Sequence, residues 1–367
     1  MNDFESLVSL NFIPQIGSVR LGNLLKYFNK PQDIFKASRQ SLEAVVGSRI
    51  SRDIVEFDSR VLDTDLAQAK KAGIEIVTLF DADYPQNLKQ ISGLPIVLYI
   101  CGKITREDNL SLGIVGSRRA SLYGLSSAEK FAAEMALSNL TVVSGMARGV
   151  DTYAHRGALK VSGRTIAVMG SGFNHIYPAE NRDLAGQIAK SGAVVSEFPM
   201  DTKPLAQNFP RRNRLISGLS LGILVTEAAK NSGALITVDF ALEQGREVFA
   251  LPGRIDSSGS MGTNELLKQG AKLVTSSEDI LEELNLALSV SGKDEPSVVK
   301  RSENIEENNL SVKEEDMIYN CISRKAMTID DLVEQTSLAS SKISTLILKL
   351  QFKKLIKELP GKQFIRS

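Results

Sequence analysis

What most constrains the fold is a repeated junction at which a short apolar run empties into a glycine-bearing loop. Leu112-Gly113-Ile114-Val115 runs into Gly116-Ser117-Arg118-Arg119, and Thr141-Val142-Val143 runs into Ser144-Gly145-Met146-Ala147-Arg148-Gly149. Further runs follow at Arg164 to Met169, Ala193 to Ser196, Leu221 to Val225, Glu247 to Leu251 and Ala271 to Val274. Near-continuous apolar runs of this length suit strands covered on both faces, and the intervals leave room for crossover helices. The pattern predicts an α/β fold, a doubly wound, mostly parallel Rossmann-like sheet. Ligands of such sheets sit beyond the carboxyl ends of the strands, where Ser117, Arg118, Gly145, Arg148 and Gly149 cluster. Glycine lets the backbone approach a ligand, and a helix starting there aims free N–H groups outward, so the expected ligand is a phosphate.

The chain has 367 residues, enough for two or three domains. It lacks an apolar run long enough for a transmembrane helix, and its first residues are too acidic for a signal peptide, so a cytoplasmic protein with no membrane role is expected. Cys101, Cys321, His155 and His175 are scattered, which supports neither a disulfide framework nor a metal site. The net charge of +1 is unevenly placed. Residues 1–112 hold 13 Lys/Arg against 14 Asp/Glu, 113–275 hold 18 against 13, 276–316 hold 4 against 12, and 317–367 hold 9 against 4. Two basic blocks around an acidic one fit a polyanion binder; an ordinary solvated surface is the other reading.

Five segments follow from the pattern: a helical module over 1–60, a connector over 61–111, the sheet domain over 112–285, a linker over 286–312 and a small domain over 313–367. In the first, Ile13, Ile16, Val19, Leu21, Leu24, Leu25 and Phe28 flank a turn at Pro14 to Gly17. Two short helices and a tight hairpin resembling a helix-hairpin-helix are expected, with Gln15 where such motifs usually have a first glycine. A second helical pair should turn at Gly47. The connector should contain a helix over 66–72 and strands over 74–79 and 96–100, packed beside the sheet domain. Polar, acidic composition from Leu286 to Val312 reads as disordered. Three amphipathic helices over 317–322, 329–335 and 340–352, with N-caps at Thr328 and Ser340, precede a strand pair turning at Pro360-Gly361. That is a winged helix, with Ser344, Lys349 and Lys353 on or near its third helix, fit to bind duplex DNA or protein.

The densest donor cluster is Gln207-Asn208-Phe209-Pro210-Arg211-Arg212-Asn213-Arg214, at a helix start. Arg211 and Arg212 either hold phosphate, or form a solvated helix face, or pair with Glu197 or Glu227. Phe209 either stacks a base of a single strand beside them or belongs to the core. Arg118 and Arg211 are expected to meet in one basic groove, with Arg119 pointing elsewhere.

The stretches 114–124, 142–159, 164–182, 209–220, 232–253 and 261–274, with the flanking helical and winged-helix modules, resemble the DNA-processing protein A family (DprA or Smf). The resemblance implies a Rossmann-like domain that dimerises and binds single-stranded DNA. It further implies a protein that protects incoming DNA and loads the RecA recombinase in natural transformation, with single-strand-binding protein as competitor or partner. Carried over residue by residue, the family's phosphate-holding loops fall on Ser117, Arg118, Gly145, Arg148, Gly149, Arg211, Arg212 and Asn213.

Against catalysis, the sequence has neither a nucleotide-hydrolysing Gly-x-x-x-x-Gly-Lys-Ser/Thr loop nor a dinucleotide Gly-x-Gly-x-x-Gly after the first strand. No cofactor is expected. The enzyme alternative is a nucleotide or nucleoside-monophosphate hydrolase of the lysine-decarboxylase-like Rossmann group, on Pro252-Gly253 and Gly262-Thr263-Asn264-Glu265. Asp151, His155 and Glu227 either form a site or cap helices and pair with the arginines. A pure protein scaffold would leave Arg118, Arg148 and Arg211 unexplained.

Overall fold

The computed structural model describes residues 1–284 continuously and then 317, 319, 321–322, 327–336, 343, 346–347, 350, 356–359 and 363–366. The chain divides into two units, Met1–Lys293 and Asp294–Ser367.

The first unit opens with α1 (Asp3–Phe12), α2 (Ser18–Phe28), α3 (Pro31–Ile34), α4 (Arg39–Val55) and α5 (Ser59–Lys71). Helix α1 starts where Asn2 and Glu5 exchange side-chain to backbone hydrogen bonds, each 2.8 Å. In the hairpin between α1 and α2, Gln15 takes φ +71°, the left-handed region that a glycine enters more cheaply. Ile13, Ile16, Leu21 and Leu24 are buried together as expected, whereas Val19 faces outward. The second helical pair turns at Gly47 as expected: within the stretch labelled α4, Gly47 leaves the helical region at φ +81° and separates two helices.

Nine strands form one sheet: β1 (Glu75–Thr78), β2 (Val97–Gly102), β3 (Ser111–Val115), β4 (Thr141–Ser144), β5 (Thr165–Val168), β6 (Ala193–Ser196), β7 (Gly222–Val225), β8 (Glu247–Ala250) and β9 (Lys272–Leu273). Their order is β1-β2-β6-β5-β4-β3-β7-β8-β9. The seven strands from β6 to β9 are parallel, with Leu112 opposite Val142 and Ile114 opposite Leu224. One expectation changes here. The strands read as a connector do not lie beside the sheet but extend it, β2 pairing antiparallel with β6 and β1 with β2.

The central strands are buried on both faces, which is why their sequences do not alternate. Leu112, Ile114, Val142 and Leu224 pack under α7 (Leu122–Leu137) and α8 (Val150–Lys160) through Phe131, Met135 and Ala154. Val115, Val143, Ile166 and Val225 pack on the other face against Leu215, Ile216 and Val238. These belong to α10 (Asn208–Leu219) and α11 (Leu235–Glu243); α6 (Gln86–Lys89) and α9 (Arg182–Ser191) lie earlier in the chain. Truncating Ile114 or Leu224 to Ala would cost about 2–5 kcal/mol, because neither site can collapse between two packed layers. From β3 the chain winds outward to β4, β5 and β6, and from β7 outward to β8 and β9. The carboxyl ends of β3 and β7 therefore flank the switch point at which such sheets open a crevice.

In the second unit, strands Met327–Thr328, Gln363–Arg366 and Ile356–Leu359 form an antiparallel sheet in that spatial order. A helix spans Ile329–Thr336. Thr328 caps it, its hydroxyl accepting from Asp331 N at 3.2 Å. Ile322, Leu332, Ile343, Leu346, Ile347, Leu350, Ile356 and Phe364 share a core, as a winged helix requires. Segment 286–312, Ser340, Ser344, Lys349, Lys353 and the turn at Pro360-Gly361 lie outside the described residues.

Candidate nucleic-acid interface

Two loops interlock at the carboxyl ends of β3 and β4. Ser117 donates its N–H to Glu227 O at 2.8 Å and accepts from Val150 N at 3.2 Å through its carbonyl. Its hydroxyl accepts from Arg119 N at 3.1 Å. Gly149 passes directly over Ser117 with φ +75°, and a Cβ there would stand 2.3 Å from Ser117 O. Only glycine allows this approach. The buried Glu227 carboxylate accepts from Ser121 N at 3.0 and 3.2 Å and from the Ser121 hydroxyl, and thereby closes the turn that presents Arg118 and Arg119 to solvent.

Beneath this lies Arg212 of α10, only 3% exposed. Its Nη1 donates to Gly145 O and Val168 O, at the ends of β4 and β5, and its Nε donates to Asn213 Oδ1 at 3.2 Å. Asn213 in turn donates to Gly233 O at 3.3 Å. A Cβ on Gly145 would fall 2.2 Å from Arg212 Nη1, so the glycine makes room for the guanidinium. Burial lowers the Arg212 pKa to about 10; Asp151 opposes the shift and Arg118 adds to it. Arg212 stays charged at neutral pH, a fixed cation under the pocket. The nearby Asp151, which accepts from Ala147 N at 3.3 Å, is pushed above the usual carboxylate range by burial, against the pull of Arg212.

Phe209 joins these parts. Its half-buried ring carries the Arg118 guanidinium at 5.2 Å, Arg212 at 6.0 Å and Tyr177 at 5.7 Å with 53° between the aromatic planes. Ser117, Arg118, Arg119, Tyr177, Phe209 and Asn213 line a pocket of about 750 Å³ at the switch point. Such a pocket offers cationic forks for phosphate oxygens and a partly exposed aromatic face for a base.

Several sequence-derived placements change. Arg118 and Arg211 do not meet. Arg211 stacks on Phe198 at 5.0 Å and pairs with the buried Glu197, Nε to Oε1 at 3.1 Å, in a separate depression of about 1060 Å³ beside the helical module. Helical spacing explains the separation: Phe209, Arg212, Asn213 and Ile216 share one face of α10, and Arg211 lies next to Asn208 and Arg214 on another. Arg119, expected to point away, lines the same pocket as Arg118. Arg148 is held in a bidentate pair by Glu180, 2.8 and 2.7 Å. Tyr177 and Glu180 were missed by the sequence reading; the signal for them was the Tyr177-Pro178 turn that follows the Gly170-Ser171-Gly172 loop of β5.

Of the three residues weighed as a catalytic site, Glu227 and Asp151 serve the two loops, and His155 is fully buried with Nδ1 2.7 Å from Thr165 Oγ1. Burial, with Arg212 adding, lowers the His155 pKa to about 3. Pro252-Gly253 and the 262–265 stretch do come together, Asn264 clasping Gly253 N and O at 3.1 and 3.0 Å, outside the pocket lining. Among the described residues no cluster of three His, Cys, Asp or Glu could hold a metal ion, and no helix is long and apolar enough to cross a membrane.

Comparison with known proteins agrees with this architecture. A profile described as DNA recombination-mediator protein A matches residues 75–285, and one described as the DprA winged helix domain matches 308–362. Protein Smf of Escherichia coli is 44% identical over 241 residues, 65% of this chain and 64% of that protein. The crystal structure of DNA processing protein A from Streptococcus pneumoniae superposes with TM-score 0.67 at 33% identity, covering 77% of this chain and 99% of that one. DNA processing protein A from Helicobacter pylori, described for its single-stranded DNA binding mode, gives TM-score 0.52 at 30% identity over 59% of this chain and 97% of that one. With the first profile matching more than half of its residues, the chain belongs to the DNA recombination-mediator protein A family.

Proposed function

We propose that this chain binds single-stranded DNA across the Arg118–Phe209 pocket and acts in DNA processing during natural transformation. The observation that carries the reading is the junction of an exposed arginine pair, without an ion-pair partner among the described residues, with a half-buried aromatic ring at the switch point. Arg118 and Arg119 would take backbone phosphates, and Phe209 with Tyr177 would stack a base. Phosphate and stacking contacts tolerate any sequence, which suits incoming DNA of unknown sequence. The likeness to the Helicobacter pylori protein, described by its single-stranded DNA binding mode, supports the same reading.

From the family we further propose that the chain acts in the cytoplasm as a homodimer that protects the strand. It would load the RecA recombinase, with single-strand-binding protein as competitor or partner, and hydrolyse no nucleotide itself. The test is fluorescence anisotropy of labelled oligo(dT) with the full chain, beside turnover assays with ATP and with nucleoside monophosphates. Tight strand binding without turnover is expected. Turnover of a nucleoside monophosphate by homogeneous protein, without strand binding, would replace this reading with the hydrolase alternative.

A further inference from the structure

The site arginines fall into two states. Among the described residues, Arg118 and Arg119 have no carboxylate within ion-pair distance, whereas Arg148, in the adjoining loop, is taken up by Glu180. Arg148 lines a small cavity together with Arg118, Tyr177 and Phe209, so it belongs to the rim of the same site. Its partner geometry is that of a planar fork on a two-oxygen acceptor, Nε to Oε1 at 2.8 Å and Nη2 to Oε2 at 2.7 Å. A phosphate would use the same fork.

Glu180 is held in place by its neighbour. Asn181 is 4% exposed and donates to Met146 O at 2.9 Å and to Thr152 Oγ1 at 2.8 Å, on either side of Arg148 in the chain. The segment 177–181 is thus fastened to the β4–α8 loop by one buried side chain. It presents Tyr177 to the ring of Phe209 and the Glu180 carboxylate to Arg148. Fixing the segment removes much of the entropy that an exposed pair would otherwise lose, so the carboxylate competes more effectively for the guanidinium. The pair also holds the Glu180 carboxyl below its usual range, chiefly through the hydrogen bond from Arg148, so the carboxylate stays ionised at neutral pH.

We infer that Glu180 is an intramolecular stand-in for phosphate, occupying the anion seat of Arg148 until a DNA strand displaces it. The consequence is a site with two tiers: Arg118 and Arg119 engage a phosphate without giving up a partner, and Arg148 engages the next only by releasing Glu180. Strand entry then exposes one carboxylate, which opposes binding and takes up a cation. Glu180 restrains affinity and flattens its salt dependence.

The inference rests on single-strand binding at this pocket, and the test separates the two. Oligo(dT) anisotropy is measured from low to high salt for the full chain and for Glu180→Gln, Arg148→Ala and the double variant, each checked for folding by circular dichroism. Glu180→Gln should bind about 2- to 5-fold more tightly, the scale on which an exposed ion pair competes. Its plot of log K against log salt should steepen by up to about 0.7, the single-strand value for one phosphate contact. Arg148→Ala should weaken binding, and in that background Glu180→Gln should add nothing. A gain from Glu180→Gln that survives undiminished in the Arg148→Ala background overturns the stand-in, because Glu180 would then act only through its general field. An unchanged affinity for Glu180→Gln beside a weakened Arg148→Ala overturns it too. Failure of the wild type to bind oligo(dT) at any salt removes the proposed function, and the stand-in with it.

Discussion

Arg118 lies across the ring of Phe209, its guanidinium carbon 5.2 Å from the centroid, although one residue comes from the loop after β3 and the other from helix α10, about 90 residues later in the chain. The contact joins the β3 loop to the first turn of α10 and makes one surface of a cation and an aromatic face. Cation–π attraction at a partly exposed site is worth about 0.5–1 kcal/mol, enough to keep the arginine over the ring before DNA arrives.

Arg118 and Arg119 both line the pocket, and each should contribute a phosphate contact. Replacing either by Ala should weaken binding to all single strands alike and lower the slope of log K against log salt by about 0.7, since phosphate contacts do not read bases. Arg118→Lys keeps the charge but loses the planar fork, so it should retain the slope and lose part of the affinity. Arg211→Ala should change the slope less than either, because Glu197 already occupies Arg211. Salt titrations of the four variants check this; a loss confined to Arg211→Ala would move the site to the other depression.

Phe209 should show the opposite signature. Phe209→Ala should cost about 5- to 100-fold in affinity, the range for one base stacked on an aromatic ring, with an unchanged salt slope because no charge is removed. Phe209→Tyr should recover most of the loss. A slope that falls along with affinity in Phe209→Ala would mean that the ring serves mainly to position Arg118.

The sequence reading and the structure part at places that physical chemistry explains. The strands β3 to β8 were legible because burial on both faces leaves an unbroken apolar run. Pairing of β2 with β6 was not, because Tyr99 and Ser196 lie far apart in the chain and short strands carry no mark of their partner. The cluster at 209–214 announced a site, yet which arginine faces it depends on rotation about α10. A helix of period 3.6 sends Arg212 with Phe209 and turns Arg211 aside. The Tyr177-Pro178 turn marked the neighbourhood of Glu180 but not its partner, since Glu180 stands 32 residues from Arg148 in the chain.

Gly145 and Arg212 should be coupled in stability. Gly145→Ala places a methyl where the guanidinium sits and should cost about 1–3 kcal/mol through overpacking. Arg212→Ala leaves Gly145 O and Val168 O without their donor, at about 1–3 kcal/mol for buried groups left unsatisfied. In the double variant the methyl has room, so the costs should sum to less than the two singles. Urea denaturation followed through the larger unit gives all four corners of the cycle; strict additivity would show that the two residues do not meet in solution.

His155 should give the fold a pH dependence of defined sign. It is fully buried with a pKa lowered to about 3 by burial, whereas an exposed histidine in the unfolded chain titrates near 6.5. Between these values the unfolded state binds the extra proton, so stability rises with pH and is lost as pH falls from about 6.5 toward 3. At about 1.4 kcal/mol for each unit below 6.5, acidification from pH 7 to pH 5 should remove on the order of 2 kcal/mol through this residue. Carboxylates such as Asp65, held above their usual range by burial, contribute with the opposite sign, so the residue must be isolated by difference. Subtracting the profile of His155→Gln, which can keep a hydrogen bond to Thr165 without titrating, from that of the wild type should leave the histidine contribution alone. Urea midpoints of the two proteins that diverge steadily below pH 6.5, with the wild type losing more, are the expected result. Parallel profiles from pH 7 to pH 5 would mean that water reaches the His155 ring and that the layer between α8 and β5 is looser than its packing indicates.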